Sequence, residues 1–132
     1  MKVIELKEFS LDGLTLTERP QPKLGAGEVL VRMHAASLNY RDVLIARGLY
    51  PEKFQLPIVP VSDGAGEVVE LGPGVKRFAR GDRVAAPLLQ QWISGEASYE
   101  MYAHELGGPL DGAPSHGQAF RQDRHQDLNL YA

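Results

Sequence analysis

With 132 residues, 43% of them apolar and 23% charged, the chain has material for one hydrophobic core but not two, and its balance is that of a folded domain. Fourteen Lys and Arg stand against seventeen Asp and Glu, a net charge of −3, and no basic run occurs. Nucleic acid and anionic membrane surfaces therefore have no electrostatic footprint to bind. Cysteine is absent, which excludes disulfides, thiolate chemistry and cysteine-held zinc.

From Lys2 to Phe9 apolar and charged residues alternate as in a half-buried strand, without the long apolar core of a signal peptide. The chain thus reads as cytoplasmic, and no apolar run nears the roughly 20 residues of a membrane helix. Asp12-Gly13 is a hairpin signal leading into a second strand, Leu14 to Arg19. Pro20 and Pro22 block further pairing, and Gly25-Ala26-Gly27 turns the chain into a third strand, Glu28 to Ser37. On that strand Val29, Val31, Met33 and Ala35 share one face, while Leu30, Arg32 and His34 take the other.

At Asn39 the period changes. Asn39 can cap a short helix, Asp42 stands where a capping-box acid reaches back, Tyr40, Val43, Leu44 and Arg47 share a face, and Gly48 ends it. Residues 49 to 60 are a loop punctuated by Pro51, Pro57 and Pro60. Strands Ala65 to Leu71 and Asp82 to Leu88 follow, and Gly64 and Gly66 mark a close backbone approach at the start of the first. Gln90 to Leu106 can hold a second helix, with Tyr99, Tyr102, Ala103 and Leu106 spaced three and four apart. After Gly112 neither a period of 2 nor one of 3.6 appears, and Gln, Asp, Arg and His dominate. The expected result is five or six strands around one or two short helices: a mainly β fold, a small, partly open β-barrel.

Three glycine-bearing turns set around one apolar strand carry a resemblance. They are Ser62-Asp63-Gly64-Ala65-Gly66, Gly72-Pro73-Gly74 and Gly81-Asp82-Arg83-Val84. Together with Glu18-Arg19-Pro20-Gln21-Pro22 and Ala35-Ala36-Ser37-Leu38-Asn39-Tyr40-Arg41-Asp42, they resemble the GroES-like N-terminal domain of medium-chain dehydrogenase/reductases. This superfamily contains the zinc alcohol dehydrogenases and the quinone oxidoreductases. The resemblance covers residues 1–112, read as one substrate-side domain, and leaves 113–132 as an atypical, disordered tail. A returning strand, which the family implies after Gly112, is not legible, so the chain reads as truncated there by a shifted frame or an altered terminus, with an exposed sheet edge that favours self-association.

The resemblance implies hydride transfer between NAD(P)H and a carbonyl, quinone or enone, with the cofactor held by a separate Rossmann domain. Such a domain needs Gly-x-Gly-x-x-Gly. Gly25-x-Gly27 is followed three on by Leu30, Gly64-x-Gly66 by Val69 and Gly72-x-Gly74 by Arg77, so this chain has no Rossmann domain and is not expected to bind NAD(P)H alone. In the family's zinc branch a cysteine stands at the position of Asn39 and a His-Glu pair at those of Ser62 and Asp63, so the chain resembles the zinc-independent branch. His34, His104, His116 and His125 show no ligand spacing.

By resemblance, Asn39 and Asp42 face nicotinamide and substrate as catalytic and cofactor-binding residues, Asn39 donating a hydrogen bond to a developing oxyanion. Their other reading is the helix cap alone. Tyr40, Tyr50, Ser62 and Asp63 are substrate-cleft candidates; the tyrosines equally suit packing, and Ser62-Asp63 a locally bonded turn. Glu67 reads as a cleft residue or a solvated strand position. Beside an oxidoreductase domain stand a non-catalytic binding or assembly module, as in the GroES co-chaperonin, and an inactive remnant.

Overall fold

The computed structural model describes residues 1–90, 92, 94–96 and 98–112, with the backbone of 116–121. Strands β1 (Lys2–Leu6) and β2 (Leu14–Glu18) form an antiparallel hairpin, paired from Lys2 and Glu18 to Leu6 and Leu14. The Asp12-Gly13 signal becomes a single 3-10 turn, Leu11–Gly13, in which the Ser10 hydroxyl accepts the Asp12 N–H at 3.1 Å. β1 stops at Leu6, short of the predicted Phe9. Leu6 there exchanges backbone hydrogen bonds with Ile58, its N–H donating at 2.8 Å, and the chain leaves the hairpin.

The second sheet holds β3 (Glu28–Ser37), β4 (Asp63–Leu71), β5 (Arg83–Ala86) and β6 (His116–Arg121), in the order β5-β4-β3-β6, with antiparallel neighbours. Among the described residues the two sheets do not close into a barrel, so the predicted mainly β fold is present in open form. β6 corrects the sequence reading of residues after Gly112, since a strand returns there and covers the free edge of β3. An edge of unpaired N–H and C=O groups recruits a strand through backbone bonds, which need no alternation of side chains. The rest of the expected tail lies outside the described residues.

Two apolar clusters sit beneath this frame. Val29, Val31, Met33, Val68, Phe78, Val84, Ala86 and Leu106 pack on the four-stranded sheet. Leu6, Ile45, Ala46 and Ile58 join the hairpin to helix α1 (Tyr40–Ala46) and the proline loop. Val29, Val31 and Met33 are buried as alternation requires, but Ala35 is exposed, because the β3–β4 register shifts between Met33 and Ala35 and the alternation slips. Gly66 pairs with Met33 across that shift, and a Cβ there would overlap the Arg32 carbonyl oxygen. This is the close backbone approach expected of it.

Both helices depart from their predicted form. α1 buries Asp42, Ile45 and Ala46 and leaves Tyr40, Val43 and Arg47 exposed, because Ile45 and Ala46 face Leu6 and Ile58. The helix predicted within Gln90–Leu106 is a single turn, α2 (Tyr99–Tyr102). Leu106 instead donates its N–H to the Leu88 carbonyl at 3.0 Å, and Leu89 bridges Glu105, so backbone pairing holds this stretch where the helical period suggested a face.

Candidate functional site

Strands β3 and β4 end together, with Ser37 opposite Asp63. Two residues beyond Ser37 the chain enters α1 with Asn39 as N-cap, so the β3–β4 register carries Asn39 to Asp63 across 24 positions of sequence. The Asn39 side-chain N–H2 donates to Asp63 Oδ2 and, at 3.3 Å, to the Ser37 carbonyl. Its backbone N–H donates to Asp42 Oδ2 at 2.7 Å, the acid half of the predicted capping box. The donor role expected of Asn39 toward an oxyanion thus meets an amide whose two N–H groups are already engaged.

Asp42 is 7% exposed, and its Oδ1 has no hydrogen-bonding partner among the described residues. Burial pushes its pKa above the ordinary carboxylate value, and the charge of Asp63 adds to that rise. The Asn39 N–H, Arg41 and the Ser62 N–H pull the other way without cancelling it. Ser62 is buried and Asp63 partly so. Just before them Val61 has φ = 73°, a left-handed conformation that costs a β-branched residue roughly 1–3 kcal/mol. Asn39, Asp42, Ser62 and Asp63 therefore form one polar group at the open end of the β3–β4 pair. Tyr40, beside them in sequence, is 77% exposed. Glu67 is partly buried further along β4, opposite Arg32 and Arg83.

Tyr50 belongs elsewhere. Its hydroxyl donates to Glu105 Oε2 at 2.9 Å and accepts from Arg41 Nε at 3.0 Å, while the Arg41 guanidinium lies 4.6 Å from the centre of its ring. Arg41 Nη2 donates to Glu105 Oε2, and Nη1 to the Leu106 carbonyl at 3.0 Å. Burial lowers the pKa of Arg41, but the bonds to Tyr50 and Glu105 outweigh it and raise the value overall. Burial raises that of Tyr50, with Arg41 opposing and the Glu105 hydrogen bond reinforcing. Sequence reasoning missed Glu105 and gave Arg41 no role. The available signal was the i,i+4 relation of Arg41 to the buried Ile45, which puts both on one side of α1. Tyr50 also lines a depression of about 390 Å³ with Phe9, Gly48 and Phe54, and neither Asn39 nor Asp63 borders it.

Zinc can be tested against these residues. At Asn39, Ser62 and Asp63, where the resemblance puts the zinc branch's ligands, stand one carboxamide, one hydroxyl and one carboxylate, the last already bonded to the carboxamide. Among the described residues no three His, Asp or Glu converge in the way a zinc centre requires. The described residues also contain no helix long and apolar enough to cross a membrane, and they form no Rossmann domain.

The model of the alcohol dehydrogenase GroES-like domain matches residues 25–120, and the chain belongs to that family. It is 47% identical over 95 residues to a zinc-type alcohol dehydrogenase-like protein of Schizosaccharomyces pombe, covering 72% of this chain and 27% of that protein. A chloroplastic quinone oxidoreductase of Triphysaria versicolor is 41% identical over 98 residues, covering 71% and 29%. A solved NAD-dependent alcohol dehydrogenase superposes with a TM-score of 0.79 at 28% identity, covering 99% of this chain and 39% of that one. The chain thus spans less than a third of the curated relatives named, and corresponds to the GroES-like part of an alcohol dehydrogenase or quinone oxidoreductase-like protein.

Proposed function

We propose that this chain is the substrate-side domain of a cytoplasmic, zinc-independent, NAD(P)H-dependent oxidoreductase acting on a small carbonyl, quinone or enone. The observation that carries the reading is the polar group of Asn39, Asp42, Ser62 and Asp63 at the open end of β3–β4, where the zinc branch's ligand positions hold a carboxamide bonded to a carboxylate. NAD(P)H, when held by a nucleotide-binding domain, supplies the hydride. This chain's residues shape the other side of the cleft: Asp42 and the α1 cap fix the Asn39 backbone, and Asp63 and Ser37 fix its side chain. Tyr40 stands exposed at the mouth, where it can contact a ligand without first breaking a buried bond. Residues 1–112 are the part proposed to form this surface.

Hydride transfer needs the reacting atoms held within roughly 3–3.5 Å, so the domain is proposed to be inactive without a nucleotide-binding partner. Zinc independence is tested in a chimera in which residues 1–112 replace the aligned segment of the Schizosaccharomyces pombe relative. Turnover that survives dialysis against a chelator, with no stoichiometric metal by elemental analysis, is expected. Turnover that chelation abolishes and zinc restores would contradict it.

A further inference from the structure

We infer that β2 is a docking edge for a second copy of this chain, whose own β2 adds antiparallel across a two-fold axis with Leu16 opposite the partner's Leu16. The inference is independent of the proposed oxidoreductase reading.

The β1–β2 register runs without a shift, and backbone bonds join Arg19 to Met1 at one end, at 2.9 Å, and Lys7 to Gly13 at the other, at 3.0 Å. Antiparallel strands bond through alternate residues, so Thr15 and Thr17 also turn their N–H and C=O toward β1, while Leu14, Leu16 and Glu18 turn theirs to the outer side of β2. The Leu14 N–H closes the 3-10 turn on the Leu11 carbonyl. The Leu14 carbonyl and both backbone groups of Leu16 and Glu18 bond to no other described residue. Native edges are guarded by proline, lysine, a bulge or a covering segment, and β2, Leu-Thr-Leu-Thr-Glu, carries none of these. The outer side of β1 is closed at Leu6 by Ile58, and that of β3 by β6.

The edge is complementary to itself. Pro20, the next residue on the outward side, has no N–H, and the turn at Leu11–Gly13 ends the strand at its other end, so five residues are left to pair. The antiparallel register that engages all five and sets outward-bonding residues against each other places Leu16 on the two-fold axis. Leu16 then exchanges both backbone bonds with the partner's Leu16, and each Glu18 N–H reaches the partner's Leu14 carbonyl. Ile4 and Leu16 are cross-strand partners, 43% and 68% exposed, so the axis joins two such pairs into one apolar row across four strands. On the other face Thr15 meets the partner's Thr17, a pair whose side chains can hydrogen-bond. Glu18 falls opposite the partner's Leu14 and keeps Lys2 of its own hairpin on its other side, so no like charges face each other within the paired strands. A contact of this isologous kind closes at two copies.

The test is sedimentation equilibrium of the full chain at rising concentration, beside Leu16→Lys. A monomer and dimer in exchange, with no larger species, is expected, and Leu16→Lys should raise the dissociation constant about tenfold or more, since it sets two ammonium groups against each other and removes the apolar row at the axis. The high exposure of Leu16 leaves the hairpin itself little changed, which melting of the variant at low concentration checks. A second measurement needs no variant: amide exchange of the wild type, read residue by residue by NMR. Exchange at Leu16 and Glu18 should slow as concentration rises, while Leu14, Thr15 and Thr17, whose N–H groups are engaged within their own chain, should not respond. Association through another surface would leave Leu16 and Glu18 unresponsive. A monomer at every concentration, growth beyond the dimer, association that Leu16→Lys leaves unchanged, or exchange at Leu16 and Glu18 independent of concentration would each overturn the inference.

Discussion

Replacing Glu105 by alanine should be among the costliest single changes in this chain, and the structure says by how much. Its side chain is 1% exposed, and that of its partner Arg41 14%. The substitution removes the acceptor shared by Arg41 Nη2 and the Tyr50 hydroxyl and leaves a guanidinium largely out of water. Removing one member of a buried ion pair costs about 3–5 kcal/mol. Two features place this case at the lower end. Arg41 keeps bonds to the Leu106 carbonyl and to Tyr50, each at 3.0 Å, and Glu105 Oε1 is itself buried without a partner among the described residues, so its removal relieves a penalty. A loss of about 3 kcal/mol is therefore expected, a large share of the roughly 5–15 kcal/mol that holds a domain together. Urea unfolding followed by fluorescence should show a lower midpoint with an unchanged m-value. Glu105→Gln, which retains an acceptor, should lose less. Arg41→Met with Glu105→Leu should recover part of the loss, since it replaces both charges by apolar groups. A loss below about 1 kcal/mol, the range of exposed pairs, or strictly additive single and double variants, would refute a coupled buried network.

Gly66→Val should destabilise the fold by clearly more than ~1 kcal/mol, because a Cβ there overlaps the Arg32 carbonyl; an unfolding midpoint like that of the wild type would contradict the close approach. Asp42→Asn should change the pH dependence of stability. The folded state raises the Asp42 pKa above 3.8 and so binds its proton more tightly than the unfolded chain; this contribution is full below 3.8 and is lost as pH rises through the higher folded value. Melting curves from pH 3 to 7 should show that decline flattened in the variant, and parallel profiles would refute it. Ending the chain at Gly112 removes β6 and bares the edge of β3, so the shortened chain should self-associate in sedimentation more than the full one. In the chimera, Asn39→Ala should lower turnover while costing only about 0.5–2 kcal/mol of stability, as a lost cap does; unchanged turnover would leave Asn39 as a cap alone.

What the sequence made legible was whatever short-range chemistry determines. The Asp12-Gly13 turn and the capping-box acid at Asp42 follow from residues within a few positions of one another, and the close approach at Gly66 is signalled by the glycine itself; each is found in place. The parts that escaped depend on pairing across the fold. β6 owes its place to the open edge of β3, so a segment without alternation becomes a strand. Glu105 lies 64 positions from Arg41, and nothing in the neighbourhood of either marks them as partners. Asn39 and Asp63 are both legible as site candidates, but that the carboxylate takes one of the carboxamide's protons follows only from the β3–β4 register.

The central claim is that this chain forms the substrate side of an oxidoreductase cleft and depends on a nucleotide-binding domain for hydride transfer. The direct measurement is the oxidation of NADH and of NADPH, followed at 340 nm with a panel of quinones, enones and ketones, for the chain alone and for the chimera with the Schizosaccharomyces pombe relative. Turnover by the chimera on at least one acceptor, with none by the chain alone, is the predicted result. Turnover by the chain alone, or a folded chimera that binds NAD(P)H and reduces none of the panel, would contradict it.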